Sequence, residues 1–274
     1  MTVAIKIMDR ALRVDFGFEH LLFVYSGRRG VHCWVADERA RTMSEEARRS
    51  VIDYLSIVSG GEDKAQKVRP TPALYHPSIG EALAIIDTHF VDLVVEGQGQ
   101  LATAVDTYLD DLDVRITGDN ARDWTRLNKK LGSAGTSAAQ SRAFLAAKLH
   151  FSYPRLDEAV STGINHLLKS PFCVHPKTGR VCVPMDVDNI DDFDFAAVPT
   201  VRQLIEELNA YDAEHGNGED GDGEDRLADW KKTSLKPYFE VFDVFLANLT
   251  AEIRRSRRDA ASTTDDDSIQ VIDF

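Results

Sequence analysis

Residues 21–36 read LLFVYSGRRGVHCWVA, and the reading of this stretch decides the fold. Leu21 to Tyr25 reads as one strand and Val31 to Ala36 as another. Between them stands Ser26-Gly27-Arg28-Arg29-Gly30, whose glycines let the backbone turn tightly and approach a ligand. The forked guanidiniums of Arg28 and Arg29 suit phosphate oxygens, and such charge-assisted bonds are roughly twice as strong as neutral ones. His32 and Trp34 share one face of the second strand, so His32 can reach the side of the turn. The same five residues also read as a solvated turn with two exposed arginines.

Working outward, Val3, Ile7, Ala11 and Leu12 fall at helical spacing over residues 3–15. That helix opens without a cap, which predicts further chain upstream of Met1. After the strands, Ser44 reads as an N-cap with Glu45 and Glu46 in the first turn, and Val51, Ile52, Leu55 and Val58 on the buried face. Gly60-Gly61 is expected to end this helix. Residues 62–77 read as a polar connector containing Pro70, Pro72 and Pro77. Ser78 to Lys148 is helical and alanine-rich, with breaks at Gly97-Gln98-Gly99 and from Gly132 to Gly135, and holds no motif with attached chemistry.

A strand is expected from His150 to Leu156, followed by Asp157 and a helix with Val160, Ile164, Leu167 and Leu168 on one face. Phe172–Val174 and Val181–Val183 then read as a hairpin around Pro176-Lys177-Thr178-Gly179. Pro199 and Thr200 open another helix, with Val201, Leu204, Ile205 and Leu208 on its face. Gly216 to Asp225 is an acidic loop too polar to bury anything. The last helix is expected from Ser234 to Arg258 with Tyr238, Val241, Phe242, Phe245, Leu249 and Ile253 inward, and the tail after Ala260 is expected to be loose.

Composition bounds the function. Of 274 residues, 43% are hydrophobic and 28% charged, ordinary for a soluble globular chain. No apolar run approaches the ~20 residues of a membrane span, so no membrane partner is expected. There is no basic-then-apolar leader, and secretion is not expected. Cys33, Cys173 and Cys182 are too few for a disulfide scaffold and show no CxxC spacing, which fits a reducing compartment. The formal net charge is −13, but Asp186 to Asp225 alone holds 14 acids against Arg202. The rest of the chain is neutral, so the acidity does not argue against a nucleotide or nucleic-acid partner.

Asp157, Lys169 and His175 bring a carboxylate, an ammonium and an imidazole near one another in sequence, a set able to hold a metal and a polyphosphate. Each also has an ordinary reading: a helix cap, a solvated helix C-terminus and a turn residue. Asp186-Val-Asp188-Asn-Ile-Asp191-Asp192 imitates the opening of a calcium loop, but the required glycine and glutamate positions fall on Asp191 and Ala197, so the stretch reads as an acidic surface linker. Arg254-Arg255-Ser256-Arg257-Arg258 reads either as a nuclear signal or nucleic-acid patch, or as basic residues suiting a helix C-terminus.

Four blocks together carry a resemblance: YSGRRGVHCWVADERAR (25–41), YPRLD (153–157), GINHLLKSPFCVHPKTGRVCVPMD (163–186) and KKTSLKPY (231–238). In this order they resemble the small, catalytic subunit of the eukaryotic and archaeal DNA primase, the eukaryotic form above all. The resemblance implies an α+β fold: a primase-type catalytic core of mixed β-sheet with helices in 1–69 and 150–198, a helical insertion subdomain in 70–149, and C-terminal helices in 199–274 with an acidic loop at 212–226.

It also implies a DNA-directed RNA polymerase, a nucleotidyltransferase of DNA replication that makes short RNA primers on a single-stranded DNA template from ribonucleoside triphosphates. Ser26, Arg28, Arg29 and His32 would hold the incoming triphosphate. Lys169 and His175 would reach its phosphates, and His166, Leu167 and Leu168 would lie near the sugar. Asp157 would be a catalytic, metal-ligating carboxylate of a two-metal site for Mg2+ or Mn2+. The family's Asp-x-Asp strand and cysteine-bound structural zinc belong to sequence before the segment where this chain begins. The chain as it stands is therefore expected to be inactive alone, and the alternative is a non-catalytic nucleotide-binding or assembly module of a primase complex. The primase large subunit, a DNA polymerase of the primosome and the nucleus are the implied partners and setting.

Overall fold

The structure is a computed structural model and describes residues 1–59, 67–68, 76–97, 116–131, 133, 135–215 and 227–266. In chain order its helices are α1 (Thr2–Arg10), α2 (Glu38–Arg41), α3 (Glu45–Leu55), α4 (Pro77–Phe90), α5 (Asn120–Leu131), α6 (Ala138–Ser152), α7 (Glu158–Thr162), α8 (Val201–His215) and α9 (Lys236–Asp266). Its strands are β1 (Leu21–Tyr25), β2 (Val31–Val35), β3 (Val58–Ser59), β4 (Lys67–Val68) and β5 (Pro184–Met185). The fold is α+β, as the sequence implies, and the chain divides into two compact units.

The first unit comprises Met1–Gly17 and Met43–Leu167 and is mainly helical, with the short β3–β4 pair. Its core draws Val3 and Ile7 from α1 and Ile79, Ala82, Leu83, Ile86 and Phe90 from α4, spacings that put each set on one helix face. Leu127, Leu149 and Tyr153 join it, and the Tyr153 hydroxyl donates to the Leu55 carbonyl at 3.0 Å. Ser44 caps α3 as expected, accepting the Ala47 N–H at 3.2 Å. Asp123 in α5 is fully buried, accepting from the Thr117 and Gly118 amides at 2.7 and 3.0 Å and pairing with Arg126 at 2.6 Å.

The second unit comprises Phe18–Thr42 and Leu168–Phe274. Its sheet has the order β2-β1-β5 and every pairing in it is antiparallel, with Leu21 opposite Val35, Tyr25 opposite Val31, and Val24 opposite Pro184. All five residues of the central strand β1 are buried, which explains its unbroken apolar sequence. Pro184 is tolerated because β5 lies at the sheet edge, where a missing N–H costs no ladder bond. Leu22, Val24 and Cys182 pack with Trp34, Cys173, Phe242 and Phe245, so α9 covers this face of the sheet. The six residues expected inward on the last helix are all at least half-buried.

Four expectations are corrected. α3 ends at Leu55 rather than Gly60-Gly61, because Val58–Ser59 leaves the helix to pair with Lys67–Val68 as β3 and β4. His150–Leu156 is not a strand: α6, nucleated by a capping box of Ser137 and Gln140, runs on through Ser152. It stops at Tyr153, which is extended because the residue before a proline avoids the helical region. The helix after Asp157 is only Glu158–Thr162, and beyond Gly163 the side chains of Ile164 and Leu167 are exposed rather than turned inward. α9 continues to Asp266, past Ala260. Along α8, Val201 and Ile205 are exposed. The Gly60-Gly61 pair, most of the 62–77 connector, the acidic loop 216–225 and the tail from 267 lie outside the described residues.

Candidate functional site

The turn between β1 and β2 is closed from within. The Ser26 N–H donates to the Gly30 carbonyl at 2.9 Å, and the Gly30 N–H returns a bond to Ser26 Oγ at 3.1 Å. The Tyr25 hydroxyl donates to the Arg28 carbonyl at 2.9 Å. Gly27 takes φ +83°, a left-handed conformation that favours glycine. Ser26 and Gly27 are buried, and this ties down the backbone while Arg28 and Arg29 stand exposed. Neither guanidinium has a carboxylate partner among the described residues.

The hairpin expected around 176–179 is present. Val174 bridges Val181, the His175 N–H donates to the Arg180 carbonyl at 2.8 Å, and the Gly179 N–H donates to the His175 carbonyl at 2.8 Å. His175 Nδ1 accepts the Lys177 N–H at 3.2 Å, so the neutral ring carries its proton on Nε2, where it can be donated outward. Arg180 is spent on structure, its guanidinium holding the Ala196 carbonyl at 2.6 Å. Phe172 opens the hairpin at φ +65°, uncommon for a non-glycine residue, and its ring stacks on Phe239 with centroids 4.0 Å apart.

Electrostatics tie these elements together. His32 is held below the ordinary imidazole range by burial and by the charge of Lys169. His175 is held below it by burial and by the charges of Lys169, Arg28 and Lys177. Both imidazoles thus resist protonation first because they are buried and then because Lys169 bears on each, with Arg28 and Lys177 adding to the positive field at His175. The buried Nδ1 of His32 and Nε1 of Trp34 find no hydrogen-bond partner among the described residues. Such a cluster is suited to a polyanion.

Of the residues expected at the site, Ser26, Arg28, Arg29, His32, Leu168, Lys169 and His175 belong to this second unit. Asp157, His166 and Leu167 belong to the first, where all three are exposed. Asp157 occupies the cap position of α7 yet makes no capping hydrogen bond, so its carboxylate is not absorbed by the helix. A hard, accessible carboxylate oxygen is the donor type that Mg2+ or Mn2+ takes, and Asp157 fits as one such ligand. Among the described residues, the group with metal-ligand geometry is Glu19, His20 and Glu252, in which Asp157 has no part. There His20 contacts Glu252 on α9, while Asp37 accepts the Glu19 and His20 amides at 2.9 and 3.0 Å, an arrangement that ties the start of β1 to α9. The reading of the sequence missed Lys177, Thr178 and Tyr25. A lysine in a tight turn two residues after His175 was the available signal for the first.

Fold and site define the chain as an α+β protein whose β1–β2 turn and neighbouring hairpin carry cations beside two histidines. Residues 1–187 match the family model of the DNA primase small subunit. The chain is 36% identical to the DNA primase small subunit of Drosophila melanogaster over 95% of its own length and 65% of that protein's. It is 32% identical to that of Schizosaccharomyces pombe, covering 94% and 64%. The DNA primase small subunit PriS of Halorubrum lacusprofundi is 27% identical over 69% of the chain and 52% of its own length. The chain belongs to the DNA primase small subunit family, and it spans slightly less than two thirds of the Drosophila and Schizosaccharomyces relatives.

Proposed function

We propose that this chain supplies the triphosphate-binding site of a DNA primase, which joins ribonucleoside triphosphates into RNA primers on single-stranded DNA. In that reaction the 3′-oxygen of the growing chain attacks the α-phosphorus, and the bond to pyrophosphate breaks. The observation that carries the reading is that Lys169 bears on both His32 and His175, with Arg28 and Lys177 joining it at His175, where the hairpin lies against the Gly27 turn. These cations bind and orient the triphosphate, and they offset the charge that grows on the departing pyrophosphate. Arg29 adds a second forked donor, the Ser26 hydroxyl has a proton to donate, and His175 presents Nε2–H to a phosphate oxygen. His166, Leu167 and Leu168 are assigned to the sugar.

Asp157 would hold a divalent metal, Mg2+ or Mn2+, together with carboxylates and phosphates from elsewhere in the complex. When bound, such an ion neutralises phosphate charge and activates the attacking oxygen. The working assembly includes the primase large subunit and a DNA polymerase of the primosome, acts in DNA replication, and is placed in the nucleus. Primer synthesis on single-stranded DNA by the complete primase carrying this sequence tests the assignment. Asp157→Ala abolishes the product, and primers made at the native rate would overturn the role given to Asp157. If the complete complex makes no primers, the chain is instead a nucleotide-binding module without this chemistry.

A further inference from the structure

The two turns that carry the cations of this site are joined at one point, and nothing local to either sequence explains the join. The Thr178 hydroxyl donates to the Gly27 carbonyl at 2.8 Å, linking residues 151 positions apart. The same hydroxyl accepts the Arg180 N–H at 3.3 Å, which directs its own proton toward Gly27. Gly27 is buried at φ +83°, and a Cβ there would stand 2.7 Å from His175 Cβ and 3.2 Å from the Arg180 carbonyl oxygen. The hairpin therefore lies directly on the Gly27 backbone. On its other side the Val201 N–H donates to the Gly179 carbonyl at 2.9 Å, anchoring the hairpin turn to the start of α8.

We propose that Thr178 is a positioning residue: its bond to the Gly27 carbonyl clasps the turn bearing His175 and Lys177 to the turn bearing Arg28 and Arg29, so that both present one surface to the triphosphate. The clasp is needed because the groups it brings together repel one another. Arg28 and Lys177 both bear on the neutral ring of His175, so the clasp holds two cations near one another, and before a polyanion arrives their mutual repulsion opposes it. The bond fixes the spacing in advance, so less binding free energy is lost to ordering the site. This inference rests on the reading of the site as a triphosphate site.

The test measures binding of ATP with Mg2+, and separately of inorganic tripolyphosphate, to the full chain by titration calorimetry. Thr178→Val removes the hydroxyl at nearly constant shape and weakens both ligands by about tenfold, the scale of one hydrogen bond. Thr178→Ser restores binding to within about twofold. Thr178→Ala carries the same expectation as valine and stands in for it if the valine protein does not fold. A second readout is the titration of His175 by histidine NMR without ligand. Release of the clasp takes Arg28 away from the ring, so its pKa rises toward the ordinary value in Thr178→Val, which a defect confined to stability would not produce.

Arg28→Ala is measured alongside. If Arg28→Ala weakens binding while Thr178→Val and Thr178→Ala bind as the native chain does, the clasp is refuted. If Arg28→Ala also leaves both ligands bound at native affinity, the triphosphate reading itself falls.

Discussion

Replacing Gly27 with alanine places a methyl carbon 2.7 Å from His175 Cβ and 3.2 Å from the Arg180 carbonyl oxygen. Carbon atoms rest about 3.5–4.0 Å apart, so the hairpin must retreat by roughly 1 Å. Both clashing groups are fixed to backbone, and no rotamer change relieves them. A retreat of that size stretches the Thr178–Gly27 bond from 2.8 Å to about 3.8 Å, beyond hydrogen-bonding reach. The left-handed backbone at φ +83° adds a cost of its own for any residue with a Cβ. The backbone term is about 1–2 kcal/mol and the bond about 1 kcal/mol, so the native arrangement of the two turns loses about 2–3 kcal/mol. Affinity for inorganic tripolyphosphate then falls by about one to two powers of ten. Calorimetric titration of the native chain and Gly27→Ala, both verified as folded by circular dichroism, reads this directly. Unchanged affinity would refute the argument that the close approach at Gly27 builds the site.

Further outcomes follow from the titratable groups. His32 and His175 are held below the ordinary imidazole range in the free chain, and a bound polyanion raises both, so binding takes up protons. Triphosphate affinity therefore increases as pH falls through the imidazole range, and replacing either histidine with asparagine flattens that slope; equal slopes in native and variant chains would contradict the placement of the rings. In the first unit, burial acts to raise the Asp123 carboxyl, but bonds from Thr117 and Gly118 and the Arg126 charge outweigh it and hold the group below the ordinary carboxylate range. That stabilisation is complete above the unfolded-state pKa and is lost as pH falls through the lower folded-state value. Thermal unfolding at neutral pH is accordingly earlier for Asp123→Asn than for the native chain, and the gap narrows in acid; a gap independent of pH would show that the carboxylate charge plays no part.

What the sequence disclosed and what it concealed divide along the range of the forces involved. β1 is legible because five consecutive buried residues need an unbroken apolar run, β2 because a strand-forming stretch follows the glycine-bounded turn, and Ser44 because a cap acts within one turn. The inward face of α9 is legible for the same reason, since Tyr238, Val241, Phe242, Phe245, Leu249 and Ile253 follow helical spacing. His150–Leu156 misleads because Leu149, Phe151 and Tyr153 alternate like a strand, while the helix begun at Ser137 meets no breaker before Pro154. The clasp at Gly27 was invisible: a threonine in a turn and a glycine in another carry no mark of a bond across 151 residues. Lys169 and His175 could be suspected from their residue types and their nearness in sequence. That Arg28 and Lys177 share their field is a property of the folded unit.

The central claim is that the cations gathered around His32 and His175 bind the triphosphate. It is tested most directly by the affinity of the native chain and of Lys169→Ala for ATP with Mg2+, with inorganic tripolyphosphate in parallel. Lys169 acts on both imidazoles, so its removal should weaken both ligands by about tenfold or more, the scale of a charge-assisted bond, and raise both histidine pKa values. Native affinity for both ligands in Lys169→Ala would contradict the account.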